Sequence, residues 1–190
     1  MSEIRHHITA KLKKTVVLVG MMGAGKTAVG KALAARLGVP FRDSDAEIEA
    51  AANMTVPEIF SRDGEPFFRK REAEVIERLL KADPGVLSTG GGAFLAERNR
   101  ASISAHGVSV WLDADLELLW SRVRHKDTRP LLRTDDPKAT LKAIFEARTP
   151  IYKQAALRVS ASPDLTIEAM AERVIGVLAT RADVLETPDD

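Results

Sequence analysis

Val16-Val17-Leu18-Val19-Gly20-Met21-Met22-Gly23-Ala24-Gly25-Lys26-Thr27 is the stretch on which the reading of this chain turns. Its four leading apolar residues suit a strand buried on both faces, and the residues after Lys26 carry helical periodicity. Between them, residues 20–27 match Gly-x4-Gly-Lys-Ser/Thr, a phosphate-binding loop in its strand-to-helix context. The glycines let the backbone curl until several N–H groups point inward at phosphate, and the helix N-terminus adds partial positive charge. Lys26 is placed to reach the β- and γ-phosphates, and the Thr27 hydroxyl to ligate Mg2+. The loop therefore predicts a nucleoside triphosphate ligand. It does not say which hydroxyl, if any, receives a phosphate.

Composition narrows the partners. The 190 residues are 45% hydrophobic, enough for one domain with a sizeable core. Lys and Arg total 28 against 27 Asp and Glu, so no global field points to nucleic acid or a membrane surface. The absence of cysteine excludes disulfides, thiol catalysis and Cys-based zinc sites. His6, His7, His106 and His125 lack metal-ligand spacing, so Mg2+ arriving with the nucleotide is the expected metal. Residues 1–14 are polar and basic, which predicts a flexible N-terminal arm, no signal peptide and a cytoplasmic protein. Residues 15–180 read as the single domain and residues 181–190 as a flexible acidic tail. The most apolar stretch, residues 15–25, is too short for a membrane span.

Outward from the loop, strands and helices alternate. Strands are predicted at 15–19, at 39–41 running into Asp43, and at 86–88, 108–112 and 157–159. Residues 26–37 read as a helix with Val29, Leu33 and Leu37 on one stripe and Gly38 as its stop; the helix after Asp43 turns Ile48 inward. Thr55-Val56-Pro57-Glu58 has capping-box spacing and opens a helix carrying Ile59 and Phe60, broken at Asp63-Gly64. Further helices are predicted over 67–81, 96–104 and 166–179, one capped by Asp113 or Asp115, and one opened by Asp136-Pro137. This alternation predicts an α/β fold: a three-layer α/β/α arrangement with a five-stranded parallel sheet and ligands at the C-terminal strand ends.

Three further constellations then fall on one edge. In an extended Asp43-Ser44-Asp45 the two carboxylates point to the same side, one toward Mg2+ and one toward a hydroxylated substrate; a turn or helix cap explains them equally well. Gly90-Gly91-Gly92 permits close backbone approach to a ligand, or is a flexible turn. Residues 122–133 hold Arg122, Arg124, Lys126, Arg129 and Arg133 against Asp127 alone, either a solvated basic loop or a segment that brings an arginine over a transferring phosphoryl group.

Taken in order, Gly20 to Thr27, Phe41-Arg42-Asp43-Ser44-Asp45 with Ile48-Glu49, Phe68-Arg69 with Glu72, Gly90-Gly91-Gly92, Arg129-Pro130-Leu131-Leu132 and Arg148-Thr149-Pro150-x-Tyr152 resemble the shikimate kinases, a nucleoside monophosphate kinase-like family. The resemblance covers residues 15–159 and implies a P-loop kinase fold with substrate-binding helices at about 44–72 and a mobile lid at about 122–135. It implies that ATP and shikimate are the partners, and that Asp45, Arg69, the Gly90, Gly91 and Gly92 backbone and Arg148 hold shikimate. Gly23, Ala24, Gly25, Lys26, Thr27, Ala28, Arg122, Arg129 and Arg158 would contact ATP; Thr27 would ligate Mg2+ and Asp43 would reach it through water. Lys26, Asp45 and the lid Arg129 would be catalytic, in a monomer.

Read from the residues alone, Arg69 could merely pair with Glu72, Arg148 could be a surface helix residue, and Phe60 and Phe68 could be core. Asp113 competes with Asp43 for the magnesium role, with Asp43 favoured by its neighbour Asp45. Asn53-Met54 departs from the family pattern. The alternatives are another small-molecule kinase, acting on gluconate or a nucleoside monophosphate, and a non-catalytic NTP-binding regulatory module. The module is disfavoured because no Asn-Lys-x-Asp guanine motif is present.

Overall fold

The computed structural model describes residues 10–125 and 130–188. Five strands form the predicted parallel sheet: β2 (Thr15–Val19), β3 (Phe41–Asp43), β4 (Val86–Ser88), β5 (Gly107–Asp113) and β6 (Leu157–Ser160), in the order β3-β4-β2-β5-β6. All five residues of β2 are buried, as its unbroken apolar run requires of a central strand covered on both faces. The helices are α1 (Lys26–Leu37), α2 (Ser44–Ala52), α3 (Val56–Asp63), α4 (Glu65–Leu80), α5 (Glu97–His106), α6 (Leu116–Val123), α7 (Pro137–Tyr152) and α8 (Ile167–Leu178). The chain runs from β2 outward to β3, then returns through β4 to cross to β5 on the other side of β2. This reversal places the ligand crevice at the C-terminal end of β2.

Local chemistry accounts for most element ends. Gly25 and Gly38 bracket α1 with φ of 93° and 65°, left-handed values that a side chain would strain. The capping box closes as expected: the Glu58 N–H donates to Thr55 Oγ1 at 3.3 Å, and the Thr55 N–H donates to Glu58 Oε2 at 3.1 Å. Gly64, at φ 84° and ψ 166°, divides α3 from α4. Of the two candidate caps for α6, Asp115 serves, accepting from the Leu118 N–H at 2.8 Å.

The extended geometry expected for Asp43-Ser44-Asp45 is not observed. β3 ends at Asp43, whose Oδ1 caps α2 by accepting from the Ala46 N–H at 3.0 Å, so Asp45 belongs to the first helical turn. Helix capping competes with strand extension here, and the capping bond wins.

The main core fills both faces of the sheet; a separate small core of Ile48, Ile59 and Phe68, with Phe60 tilted 4.8 Å from Phe68, joins α2, α3 and α4. Phe68 is thus core, as the reading from the residues alone allowed. Among the described residues, no helix is long and apolar enough to cross a membrane.

The flexible arm and tail are corrected over their described parts. β1 (Lys11–Leu12) pairs antiparallel with β7 (Leu185–Glu186), Lys11 opposite Glu186 and Leu12 opposite Leu185. Leu12, Val184 and Leu185 are buried in the main core, and Lys14 Nζ reaches Asp183 Oδ2 at 3.2 Å. Burial of these apolar side chains outweighs the polar composition that suggested loose ends. Leu185→Ala is expected to remove about 2–4 kcal/mol of stability, read as a lower urea midpoint with unchanged slope.

Candidate active site

Parallel pairing sets the functional strand ends level. Asp43 lies opposite Ser88, and Ser88 opposite Leu18, so the loops leaving β2, β3 and β4 open on one edge. They enclose a cavity of about 620 Å³. The phosphate loop, Thr27 and Ala28 line it together with Asp43, Asp45, Gly90, Gly91 and Arg122; Ala161, Leu165 and Met170 complete the wall.

In the phosphate loop, Gly20, Gly23 and Gly25 all have positive φ, at 147°, 83° and 93°. A Cβ on Gly20 would lie 2.9 Å from the Leu112 carbonyl oxygen, and one on Gly23 2.8 Å from Val123 Cγ1, so α6 packs directly on the loop. Arg122 Nη1 donates to the Gly23 carbonyl at 3.0 Å. Lys26 Nζ donates to the Gly20 and Met21 carbonyls at 2.7 and 3.0 Å, which holds the ammonium across the mouth of the loop.

After β4, each of the three consecutive glycines abuts a different charged side chain. A Cβ on Gly90 would lie 2.8 Å from Asp45 Oδ2, one on Gly91 3.1 Å from Arg148 Nη1, and one on Gly92 2.5 Å from Arg69 Nη2. A Cβ at any of the three would push the charged tip away, so glycine lets all of them approach the backbone. The flexible-turn reading of these glycines thus gives way to close approach, and the approaching groups belong to the protein itself.

Arg69 also pairs with Glu72, Nη1 to Oε1 at 2.9 Å, and more loosely with Glu65 Oε1 at 3.4 Å. The pair and the position beside Gly92 therefore coexist. Glu72 is 1% exposed, and burial pushes its carboxyl above the ordinary range, opposed by Arg69. Burial, then repulsion from Glu72, Asp43 and Glu49, raises the Asp45 carboxyl to about 6 against the pull of Lys26. Ser44 Oγ, Asp45 Oδ1 and Glu72 Oε2 are buried with no hydrogen-bond partner among the described residues. Of these residues Asp45 lines the cavity, and its unpartnered Oδ1 fits a site whose polar partner arrives with a ligand.

Arg158 does not line the cavity: it forms an ion pair with Asp113 and lies over the Trp111 ring at 5.1 Å. Its strand neighbour captures it, while Ala161 and Leu165 just beyond line the cavity. Asp113, held in that pair, does not line the cavity, whereas Asp43 does. Arg129 lies outside the described residues. After it, Pro130–Leu132 forms a short 3-10 turn in which Leu131 is exposed and Leu132 buried.

Sequence reasoning assigned no role to Tyr152, whose hydroxyl donates to the Gly91 carbonyl at 2.6 Å. Its signal was the i,i+4 spacing from Arg148. Leu165 and Met170 carried no signal, because apolar side chains that wall a cavity read as core.

The comparisons with known proteins agree with this geometry. The family model described as shikimate kinase matches residues 22–179. The shikimate kinase of Ruegeria pomeroyi is 67% identical over 98% of this chain and 99% of its own length, and that of Cereibacter sphaeroides 65% identical over 96% and 91%. Among solved structures, shikimate kinase from Acinetobacter baumannii in complex with shikimate superposes with a TM-score of 0.82 at 36% identity, covering 88% of this chain and 93% of that one. A gluconokinase from Sinorhizobium meliloti, at 20% identity and a TM-score of 0.59, shares the fold. With the phosphate loop, Asp45, Gly90 and Gly91 lining one cavity, and Arg148 and Arg69 packed beside Gly91 and Gly92, this chain belongs to the shikimate kinase family.

Proposed function

We propose that the cavity transfers the γ-phosphoryl group of ATP to the 3-hydroxyl of shikimate, giving ADP and 3-phosphoshikimate. The observation that carries the residue assignment is the arrangement at the three glycines, where one carboxylate and two guanidiniums converge. An acceptor bearing both hydroxyls and a carboxylate suits that set: a carboxylate accepts from hydroxyls, and planar guanidiniums pair with a carboxylate in bidentate fashion. We assign Asp45 to the hydroxyls, and Arg148 and Arg69 to the substrate carboxylate. Glu72 keeps Arg69 turned toward Gly92.

At the donor end, Lys26 exchanges its loop carbonyls for the β- and γ-phosphates, and Arg129 is the lid arginine that stabilises charge on the transferring group. Arg122, Ala161, Leu165 and Met170 enclose the nucleobase end. The Thr27 hydroxyl and the Asp43 carboxylate line the same cavity, a hard oxygen set that fits Mg2+. Thr27 would hold the ion directly and Asp43 through water, consistent with Asp43 Oδ1 being engaged in capping α2. When bound, the ion offsets charge on the phosphates. Asp45, with its carboxyl raised to about 6, is ionised at neutral pH yet basic enough to take the hydroxyl proton as the oxygen attacks in line. Positioning of the two reactants supplies most of the acceleration.

Purified protein with ATP and Mg2+ is expected to release ADP on addition of shikimate, and not of gluconate or AMP; turnover of either of those instead would refute the acceptor assignment. Arg148→Ala is expected to raise the shikimate KM by at least about tenfold with little effect on the ATP KM, and equal changes would argue against its carboxylate role.

Loss of the proton acceptor gives the third test. kcat/KM for shikimate should fall as pH drops through about 6, because Asp45 gains its proton there. Asp45→Asn should abolish that limb and lower kcat by about 10²–10⁴-fold. Stability moves the other way. Because the folded-state value lies above 3.8, the contribution of Asp45 is fully present below pH 3.8 and is lost as pH rises through about 6. Ionised Asp45 therefore costs of order 2–3 kcal/mol at neutral pH, and Asp45→Asn should raise Tm.

A further inference from the structure

The Tyr152 hydroxyl takes no part in the chemistry above, yet it sits against the middle acceptor glycine. The side chain is 1% exposed, and its ring stacks on Trp111 at 6.2 Å and 26°. Arg158 lies over that Trp111 ring and is itself held by Asp113, so the phenol is backed by a layered, ion-paired support. From this fixed position the hydroxyl donates to the Gly91 carbonyl at 2.6 Å. Arg148, one helical turn earlier on α7, is close enough for its charge to act on the same hydroxyl. It also sets Nη1 where a Cβ on Gly91 would be only 3.1 Å away. Burial pushes the Tyr152 phenol above its ordinary value, with Arg148 opposing, so the group stays protonated and remains a donor.

We propose that the Tyr152 hydroxyl is a positioning group for the acceptor clamp, fixing the Gly91 peptide and the Arg148 guanidinium in one orientation. In a trans peptide the carbonyl and the following N–H point in opposite directions. Holding the Gly91 carbonyl toward Tyr152 therefore turns the Gly92 N–H away from it. Glycine peptides rotate more freely than any others, so a run of three needs an external anchor to present its N–H groups in fixed directions. Tyr152 supplies that anchor from the same helix that carries Arg148, and one hydroxyl sets both the backbone and the guanidinium.

This inference rests on Arg148 binding the substrate carboxylate, and a double-mutant cycle separates the two. Tyr152→Phe keeps the ring against Trp111 and removes only the hydroxyl. The expected result is a shikimate KM raised about tenfold, equivalent to about 1.4 kcal/mol, with the ATP KM within about twofold of wild type. In an Arg148→Ala background the effect of Tyr152→Phe on the shikimate KM should shrink markedly, because the two groups act as one unit. An unchanged shikimate KM, full additivity in the cycle, or both KM values rising together with a lowered Tm would overturn the proposal. If Arg148→Ala alone failed to raise the shikimate KM selectively, the carboxylate assignment itself would fall. A selective Arg148 effect with an additive Tyr152 effect would overturn only the anchor.

Discussion

Parallel register around β2 is the constraint on which the rest of the molecule depends. Val16 is paired with Val86 on one side and Val108 on the other, and the whole strand is buried. That pairing brings Leu18, Ser88 and Asp43 level, so the phosphate loop, the three glycines and the capped carboxylate open at the same height. Each residue of a strand advances about 3.3 Å, so a slip of one residue would carry Gly90 clear of Asp45 and turn the strand's side chains to the wrong face. Thr89 reinforces the register, its hydroxyl donating to the Leu18 carbonyl at 3.1 Å.

On that level edge the protein concentrates charge at the expense of folding energy. Glu72, Asp43 and Glu49 all repel the Asp45 carboxylate, and Asp45 and Glu72 are pushed above their ordinary values mainly by burial. Arg69 and Lys26 oppose the repulsion without cancelling it. Such a cluster persists because the surrounding fold leaves the groups nowhere else to go: Glu72 lies on α4 beside Arg69, Asp45 on the first turn of α2, and the glycines close against both. Any larger side chain at position 90 or 92 would collide with a charged group of the site. The small core of Ile48, Ile59 and Phe68 holds these helices together apart from the main core.

The two ends of the chain follow the same logic of burial over composition. Their polar residues suggested looseness, yet three apolar side chains, Leu12, Val184 and Leu185, are enough to draw the described termini into a paired ribbon on the main core. Ion pairs from Lys14 and Arg181 to Asp183 lie on its exposed side. Exposed pairs of this kind contribute little, and the apolar contacts carry the ribbon.

By itself the sequence determined the strand-loop-helix unit, the alternation that demands a parallel sheet, and the glycines, carboxylate and arginines of the site. Each of these is set by local chemistry: buried strands need unbroken apolar runs, a phosphate loop needs its glycines, and charged groups with no surface role stand out in a motif. Only the tertiary structure decided which local option won. Asp43 became a helix cap, Asp115 displaced Asp113, Arg158 turned to Asp113, and the ends of the chain paired, because each outcome depends on neighbours distant along the chain. Tyr152 shows the limit most clearly. Its meeting with Gly91 spans 61 residues of chain, and no periodicity along the sequence encodes a contact made by two separate elements folding against one sheet edge.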